Sequence, residues 1–428
     1  MKLIELYDEL PINNILGALH FRPDEIVYLN PEAQGLAQLR EFFRMKGLGK
    51  IGISGFNARF DDLYDITSKL EAIINSGRSD EFLIDIGGGA DMLLVAAGRI
   101  YERENDVVLT KIDPKSSFAR VISKSSDSAA RGRFASDKSR IVNTVLENAV
   151  LHGGRVSAQS EDDVYEYTSD FIADINKLWR LCMRGPEDYL PKRSSPQIWN
   201  NVIYRISAVE KYNSSQNRYH TDHYSVECYL KELKRLGVIG YSGNARDGYY
   251  GFSYKSPSVK RLLSKAGNVL EQKAYITCRS FIGKGLNDVK VGVTLDWDGK
   301  GYKKRKELRE KYGKAVYDDV ELAAIYADTE NEVDLILMKG VIPVFVSCKN
   351  GRFDSEELYK LSSVADKFGR KYAKKLLLAS DFRHMTDKQT AAHLRARAET
   401  LNIKIIDDLY LMSDDEFEKV LKAAIFEA

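Results

Sequence analysis

Hydrophobic residues in the first 112 positions form short runs that alternate with longer amphipathic stretches. The short runs, at 25–29, 50–54, 82–86 and 107–112, are rich in β-branched and other apolar residues, as buried strands are. The stretches between them repeat apolar residues every three to four positions, which is typical of helices, at 31–45, 61–75 and 90–101. This alternation predicts an α/β domain with a parallel, Rossmann-like sheet.

A glycine-rich turn follows the predicted strand 82–86. Gly87, Gly88 and Gly89 lead into a helix whose first turn carries Asp91. Ligands of parallel sheets bind beyond the carboxyl ends of the strands, and glycines let backbone amides approach a phosphate there. The spacing matches neither a dinucleotide fingerprint nor a P-loop. The turn therefore fits a ligand loop and a close-packed structural turn about equally well.

The middle of the chain predicts a connector. A helix is predicted at 165–183, and a second helix at 223–239 runs into a turn-rich segment at 240–251, an order that resembles a winged-helix unit. Acidic residues on the second helix favour a connecting role over DNA binding. The polar stretch 113–140 predicts an extended surface loop or hairpin.

Two strand-like runs, at 330–338 and 343–351, are joined by a turn at Lys339-Gly340. Such a pair predicts an antiparallel hairpin. Side chains two apart share one face of a strand. One face is expected to be apolar and to carry Val333, Leu335, Val346 and Cys348.

The other face of this hairpin is polar. Glu332 and Asp334 share it on the first strand, and Ser347 and Lys349 share it on the second. Pairing the strands would gather two carboxylates, a hydroxyl and an ammonium at one end of the sheet, where oxygen ligands could hold a divalent cation. A solvated sheet face has the same alternation, so the flanking segments matter.

The flanking segments predict the rest of a second α/β layer. A helix at 267–275 carries Glu271, and a helix at 356–375 ends with Arg370, Lys371 and Lys374, which we expect to contact nucleic acid because they are close in sequence to the hairpin. A charged stretch at 303–314 is a further candidate for contacts with a nucleic-acid backbone. The remaining predicted elements are strands at 289–297, 376–379 and 404–407 and a helix at 416–424.

Composition narrows the class of protein. The 428 residues include 64 basic and 62 acidic side chains, so any nucleic-acid binding must come from local patches. No signal pattern or membrane-spanning apolar run is present, which predicts a cytoplasmic protein. The four cysteines lack paired spacing, which argues against a zinc site or a disulfide framework.

The hairpin and the helix that precedes it resemble the PD-(D/E)xK, or restriction-endonuclease-like, nucleases, and among them the CRISPR ancillary nucleases that carry a CARF sensor domain. The resemblance implies a CARF domain at 1–156, a winged-helix-like connector at 157–256 and a nuclease domain at 257–428. It implies that Glu271, Asp334 and Lys349 form the catalytic motif with Mg²⁺ or Mn²⁺. Ser347 stands where the family usually has an acidic residue, and Glu332 is expected to supply the missing charge as a further metal ligand.

The glycine turn and the segments 10–16, 19–23 and 151–156 resemble parts of the same nuclease family. This likeness implies that Pro11 and Asn13, together with Gly87, Gly88, Gly89 and Asp91, bind cyclic tetra-adenylate. A nearly two-fold symmetric ligand implies a homodimer with the loop on both sides of its axis. The implied function is a cyclic tetra-adenylate-activated endonuclease of type III CRISPR defence that cleaves single-stranded DNA, RNA or both with little sequence specificity.

Two alternatives remain open at the level of sequence. The first is a ligand-responsive DNA-binding regulator with a degenerate nuclease fold, which the uncharged Ser347 favours. The second keeps the nuclease but lets the sensor domain degrade its own ligand.

Overall fold

The computed structural model describes residues 1–76, 81–124, 141–159, 165–184, 211–213, 223–246, 249–263, 267–300, 330–350, 352–380, 382 and 387–427. The charged stretch at 303–314 and residues 125–140 lie outside these ranges. Within them, two six-stranded sheets and one three-stranded sheet organise the chain. No helix in the described part is long and apolar enough to cross a membrane.

The first sheet has the predicted Rossmann-like arrangement, with strand order β3-β2-β1-β4-β5-β6. All neighbours among β1 to β5 are parallel, and β6 returns antiparallel to β5 as a hairpin. Its strands are β1 (Lys2–Leu6), β2 (Glu25–Leu29), β3 (Gly52–Phe56), β4 (Phe82–Asp85), β5 (Val107–Asp113) and β6 (Phe118–Ile122). Its helices are α1 (Leu16–Phe21), α2 (Ala33–Met45), α3 (Leu63–Asn75) and α4 (Asp91–Arg103).

The order of the strands reverses between β1 and β4, and this position defines the switch point of the sheet. In open α/β sheets the crevice beyond such a point is where ligands bind. The loop after β4 contains the three predicted glycines, so it lies at this crevice. The central strand β1 was not predicted.

The middle of the chain links the two large sheets. The helix His223–Arg235 is followed by the antiparallel pair Ile239–Arg246 and Tyr249–Tyr254, so the helix-and-hairpin order predicted for the connector is present. A short strand ahead of the helix, Lys211–Asn213, completes a three-stranded sheet of order β8-β10-β9. The elements in chain order are α5 (Val145–Leu151), β7 (Arg155–Gln159), α6 (Ser169–Arg184), β8 (Lys211–Asn213), α7 (His223–Arg235), β9 (Ile239–Arg246), β10 (Tyr249–Tyr254) and α8 (Pro257–Leu262).

The second large sheet has strand order β15-β14-β13-β12-β11-β7. Pairs from β7 through β13 are antiparallel, and β13, β14 and β15 are parallel. The new elements are α9 (Asn268–Arg279), β11 (Asp288–Asp296), β12 (Glu330–Lys339), β13 (Ile342–Lys349), α10 (Ser355–Gly369), β14 (Lys374–Ala379), α11 (Lys388–Thr400), β15 (Ile403–Ile406) and α12 (Asp414–Phe426).

Helices cover both faces of this second sheet. Apolar residues of α6, α7, α9 and α12 pack on one face, and those of α5, α10 and α11 pack on the other. The domain boundary predicted at residue 156 falls inside β7, which is an edge strand of the second sheet. Ion pairs Lys46–Glu147 and Arg155–Glu41 tie α5 and β7 back to α2 of the first unit.

The helix predicted at 356–375 is shorter than expected. It ends at Gly369, and a 3₁₀ turn at Arg370–Tyr372 separates it from β14. Arg370 has a φ of 51°, outside the helical region. A side chain at position 369 would lie 2.7 Å from both Pro343 and Ala373, so glycine permits the close approach of this corner to β13.

Candidate functional site

The β12–β13 hairpin forms the charged end predicted from its sequence. Leu335 pairs with Val346 in the antiparallel register, which places Asp334 beside Ser347. A cavity of about 170 Å³ opens there between the hairpin and α10. Four of the five predicted catalytic residues line it, namely Glu332, Asp334, Ser347 and Lys349.

Asp334 is held by the neighbouring strand. Its Oδ2 accepts hydrogen bonds from the backbone N–H of Cys348 at 2.6 Å and from the Ser347 hydroxyl at 3.2 Å. Burial raises the pKa of Asp334, and these donors and the Lys349 charge oppose that rise only in part. The carboxylate is thus partly desolvated and short of positive charge, an environment that favours a bound cation.

Lys349 is paired with a carboxylate that was not predicted. Its Nζ lies 2.6 Å from Oε2 of Glu357, in the first turn of α10. Burial acts to lower the pKa of Lys349, but the Glu357 hydrogen bond and nearby acidic charges leave it raised overall. Lys349 is therefore an ammonium group at neutral pH. Lys360, one turn further along α10, also lines the cavity.

The alternation of faces along β12 is interrupted next to Asp334. Leu335 packs on the α9 side of the sheet as expected, whereas Val333 packs on the α10 side and lines the cavity. The paired residues Val291 and Val293 of β11 change sides in the same way, on either side of Gly292 with a φ of 57°. Gly292, with its left-handed backbone conformation, thus lies where the side chains change from one face of the sheet to the other. Strict period-two alternation does not predict this change.

Glu271, the fifth predicted catalytic residue, is not among the residues that line the cavity. It lies in the first turn of α9, which covers the opposite face of the sheet. Burial raises the pKa of the Cys348 thiol, and the charges of Asp334 and Glu271 add to the rise. Glu271 thus lies within electrostatic range of Cys348, the β13 residue whose backbone N–H binds Asp334.

The donor set of the cavity suits a hard cation. Glu332 and Asp334 supply carboxylate oxygens and Ser347 a hydroxyl, the donors that Mg²⁺ and Mn²⁺ prefer. Among the described residues, no group of three or more His, Cys, Asp or Glu side chains is arranged as a ready metal site. The carboxylates of Glu332 and Asp334 therefore suit Mg²⁺ or Mn²⁺, and the cavity has room for water molecules as further ligands.

A larger cavity, of about 590 Å³, lies at the switch point of the first sheet. Four of the six residues predicted to bind a ligand line it: Asn13, Gly87, Gly88 and Gly89. Pro11 and Asp91 do not, and the Asp91 side chain is exposed at the start of α4. Sequence reasoning did not predict the basic lining residues Lys111, Lys115 and Arg120. A fourth, Lys371, was predicted to contact nucleic acid and not this ligand.

The glycine loop is fixed by carboxylates on both sides. Asp8 accepts from the backbone N–H of Gly89 at 3.0 Å through Oδ2, the same oxygen that accepts from the Asn13 amide at 3.3 Å. Asp85 accepts from the backbone N–H of Gly87 at 2.7 Å. Gly89 itself has a φ of 91°, a backbone conformation that favours glycine.

Asp85 belongs to a buried carboxyl pair beneath this loop. Glu5 and Asp85 are register neighbours on β1 and β4, and each has a buried oxygen with no hydrogen-bond partner in the described structure. Burial raises the pKa of Asp85 to about 7, and burial together with the Asp85 charge raises the pKa of Glu5. The pair therefore holds at least one proton below neutral pH.

This pair predicts a pH-dependent stability. The folded state holds the proton of Asp85 up to about pH 7, whereas an unfolded aspartate loses it near pH 4. Stability therefore falls as pH rises through this window, by up to about 1.4 kcal/mol per pH unit for this group. Asp85→Asn should remove the contribution of Asp85 to that slope in urea unfolding between pH 4.5 and 7, whereas Asp61→Asn at an exposed site should keep it. An unchanged slope in Asp85→Asn would contradict the assignment.

The 3₁₀ turn after α10 borders the glycine-loop cavity and does not line the charged hairpin cavity. Lys371 and Tyr372 line the former, and the Tyr372 hydroxyl donates to Oδ1 of Asn13 at 3.0 Å. Lys374 donates to the carbonyls of Ile425 and Glu427. We expected these basic residues near the hairpin site, but the helix between them is 15 residues long, about 20 Å at 1.5 Å per residue.

Comparison with known proteins identifies the fold. No protein-family model matches the sequence, and no curated protein matches it. The crystal structure of protein VC1899 from Vibrio cholerae aligns with a TM-score of 0.69 at 15% identity and covers 99% of this chain and 98% of its own. Can2 from Sulfobacillus thermosulfidooxidans, solved in complex with cyclic tetra-adenylate, aligns with a TM-score of 0.62 at 11% identity and covers 99% and 97%.

A type III CRISPR defence DNA nuclease activated by cyclic oligoadenylate aligns less well. Its TM-score is 0.44 at 15% identity, and the alignment covers 90% of this chain and 46% of the nuclease. The two stronger alignments run over nearly the full length of all chains involved. The predicted fold, a Rossmann-like unit followed by a second α/β unit, is therefore confirmed as one that these solved proteins share.

Proposed function

We propose that this protein is a cyclic tetra-adenylate-activated, metal-dependent endonuclease of type III CRISPR defence. Its substrate would be single-stranded DNA, RNA or both. The observation that carries the proposal is the cavity in which the hairpin gathers Glu332, Asp334, Ser347 and Lys349. Carboxylates that can bind a metal ion, beside an ammonium group that can face a phosphate, suit metal-assisted phosphodiester hydrolysis.

Each side chain of this cavity has a distinct part in the proposed reaction. Asp334 and Glu332 would hold Mg²⁺ or Mn²⁺, which lowers the pKa of a bound water and neutralises phosphate charge when present. The Ser347 hydroxyl keeps Asp334 oriented through its hydrogen bond. The Lys349 ammonium would face the charge that develops on the phosphate. In the proposed reaction these groups act on the metal ion and the scissile phosphate and not on the bases, so little sequence specificity is expected.

The glycine-loop cavity is the proposed activator site. Four basic side chains line it, which suits a ligand with several phosphates. Can2, which shares this fold, was solved with cyclic tetra-adenylate. Because that ligand has near-two-fold symmetry, we propose that two copies of the chain present this cavity to one ligand.

The helix α10 offers a direct link between the two cavities. Glu357 in its first turn lines the hairpin cavity, and Tyr372, just after its last turn, lines the activator cavity. A ligand that displaces the Tyr372–Asn13 hydrogen bond would act on an element that also borders Lys349. Activation requires that the ligand bind more tightly when α10 is in one position than when it is in another.

Tyr372→Phe tests this link. The substitution removes one hydrogen bond worth about 1 kcal/mol, so the ratio of cleavage with and without cyclic tetra-adenylate should change by about fivefold. Tyr359→Phe is the matched control, because Tyr359 is exposed on the same helix and lines neither cavity. An activation ratio equal to that of the unmodified protein would exclude this hydrogen bond from the coupling.

The function itself is tested by cleavage of labelled single-stranded DNA and RNA of mixed sequence. Cutting should require Mn²⁺ or Mg²⁺, should cease in a chelator and should increase when cyclic tetra-adenylate is added. Ligand binding without any cutting would refute the nuclease. Sequence-specific binding of duplex DNA that persists in a chelator would instead support the alternative, a DNA-binding regulator. Degradation of cyclic tetra-adenylate by a variant in which Asp334 is replaced would show that the sensor domain cleaves its own ligand.

A further inference from the structure

We infer that Glu357 is a positioning residue of the cleavage site, which fixes the Lys349 ammonium group over the hairpin cavity. The inference rests on the proposed endonuclease function. It concerns a residue outside the hairpin, on the helix that forms the other wall of the cavity. It also explains how the site can operate with the uncharged Ser347.

The geometry sets Glu357 apart from the other acidic residues nearby. Its Oε2 lies 2.6 Å from Lys349 Nζ, and both side chains line the cavity that contains Asp334. The two groups are 30% and 25% exposed, so their interaction is shielded from water more than a surface pair is. Within the described part of the chain, Glu357 is the carboxylate that forms an ion pair with Lys349.

The position of Glu357 is fixed by the local backbone. Asp354 caps α10 by accepting from the backbone N–H of Glu356 at 2.9 Å, so the first turn of the helix is well defined. Lys349 ends β13, and α10 begins six residues later. The carboxylate is thus presented by a rigid element and not by a loop tip.

Lys349 needs such a partner because its side chain is long and flexible. An unpaired lysine side chain retains about 2 kcal/mol of rotamer entropy and would not stay over one point of the cavity. Ser347, two residues earlier on the same face, gives its hydrogen bond to Asp334 and carries no charge. Glu357 therefore supplies the anchoring charge that the strand itself lacks.

The ion pair with Glu357 also limits the access of reagents to Lys349. Its Nζ lies 2.6 Å from Oε2 of Glu357, so one side of the amine is occupied. Without the carboxylate, the lysine side chain should be freer to move and to react with an acylating reagent. This consequence can be measured without any cleavage.

The test compares Glu357→Gln with Glu356→Gln in the full-length protein. Both variants remove one negative charge from the same helical turn, but the Glu356 side chain is exposed and does not line the cavity. With Mn²⁺ and cyclic tetra-adenylate, Glu357→Gln should lower kcat about 10- to 100-fold with KM changed less than about threefold. Glu356→Gln should change neither.

A second readout uses no metal, activator or nucleic acid. Acylation of Lys349 by an N-hydroxysuccinimide ester at pH 8, followed by mass spectrometry, should be several-fold faster in Glu357→Gln than in Glu356→Gln. Equal labelling of Lys349, or cleavage by Glu357→Gln at the unmodified rate, would overturn the inference. A tenfold or larger loss of Mn²⁺ affinity in calorimetry would also overturn it, because Glu357 would then be a metal ligand.

The two readouts separate this inference from the proposed function. If the unmodified protein cuts neither DNA nor RNA, the nuclease proposal fails, whatever the labelling shows. If it cuts and the Glu357 variant cuts equally well, the nuclease stands and the positioning role fails.

Discussion

Asp334→Asn is expected to lower metal-dependent cleavage by about 10³-fold. Asparagine has the same shape, and its side-chain oxygen can still accept from the Cys348 N–H and the Ser347 hydroxyl. What it loses is the negative charge in a partly desolvated cavity, where that charge has its largest effect on a divalent cation. The fold should persist, so a loss of cleavage would report on the site itself.

The Asp334 prediction needs two accompanying measurements. Cyclic tetra-adenylate should bind the variant with unchanged affinity in calorimetry, because the activator cavity is formed by other elements. Asp415→Asn, which removes an exposed carboxylate in the first turn of α12, should cleave normally. More than about a tenth of the original rate in Asp334→Asn would remove this carboxylate from the proposed reaction.

The first sheet was predictable except at its centre. The four strands at its other parallel positions were predicted because their runs are apolar and bounded by amphipathic helices. β1 was missed because its five residues include Lys2 and Glu5, yet Glu5 is 2% exposed. A charged residue in a buried strand contradicts the pattern on which prediction depends. The structure places this residue beside Asp85, below the glycine loop.

The hairpin site was predictable because strand geometry is local. Period-two alternation and the short turn were enough to bring Asp334, Ser347 and Lys349 to one cavity. The contacts made by α10 were not predictable, because they depend on which end of the helix lies over the hairpin. Glu357 at its first turn borders this cavity, and Lys371 beyond its last turn borders the other. We expected the basic residues after this helix at the hairpin cavity, whereas the structure places the first turn of the helix there.

The glycine loop gives the second large prediction. Gly89→Ala is expected to weaken binding of cyclic tetra-adenylate by about 100-fold. A Cβ at position 89 would lie 2.6 Å from Cβ of Leu6 and 3.3 Å from its carbonyl oxygen, in a residue with a φ of 91°. Backbone strain and overlap of this kind cost about 1–3 kcal/mol each, so the loop must move away from the cavity it lines.

Gly98→Ala is the matched control for this loop, because it makes the same chemical change on the adjoining helix α4. A Cβ at position 98 would have nothing within 4 Å, so the substitution should stabilise the protein by about 0.5–1 kcal/mol and leave binding unchanged. Urea unfolding and calorimetry on both variants separate the two interpretations of the turn. If Gly89→Ala lowers stability but the folded protein binds the ligand normally, the turn is structural. If the folded fraction of Gly89→Ala binds the ligand much more weakly than the unmodified protein does, the glycines form the activator site.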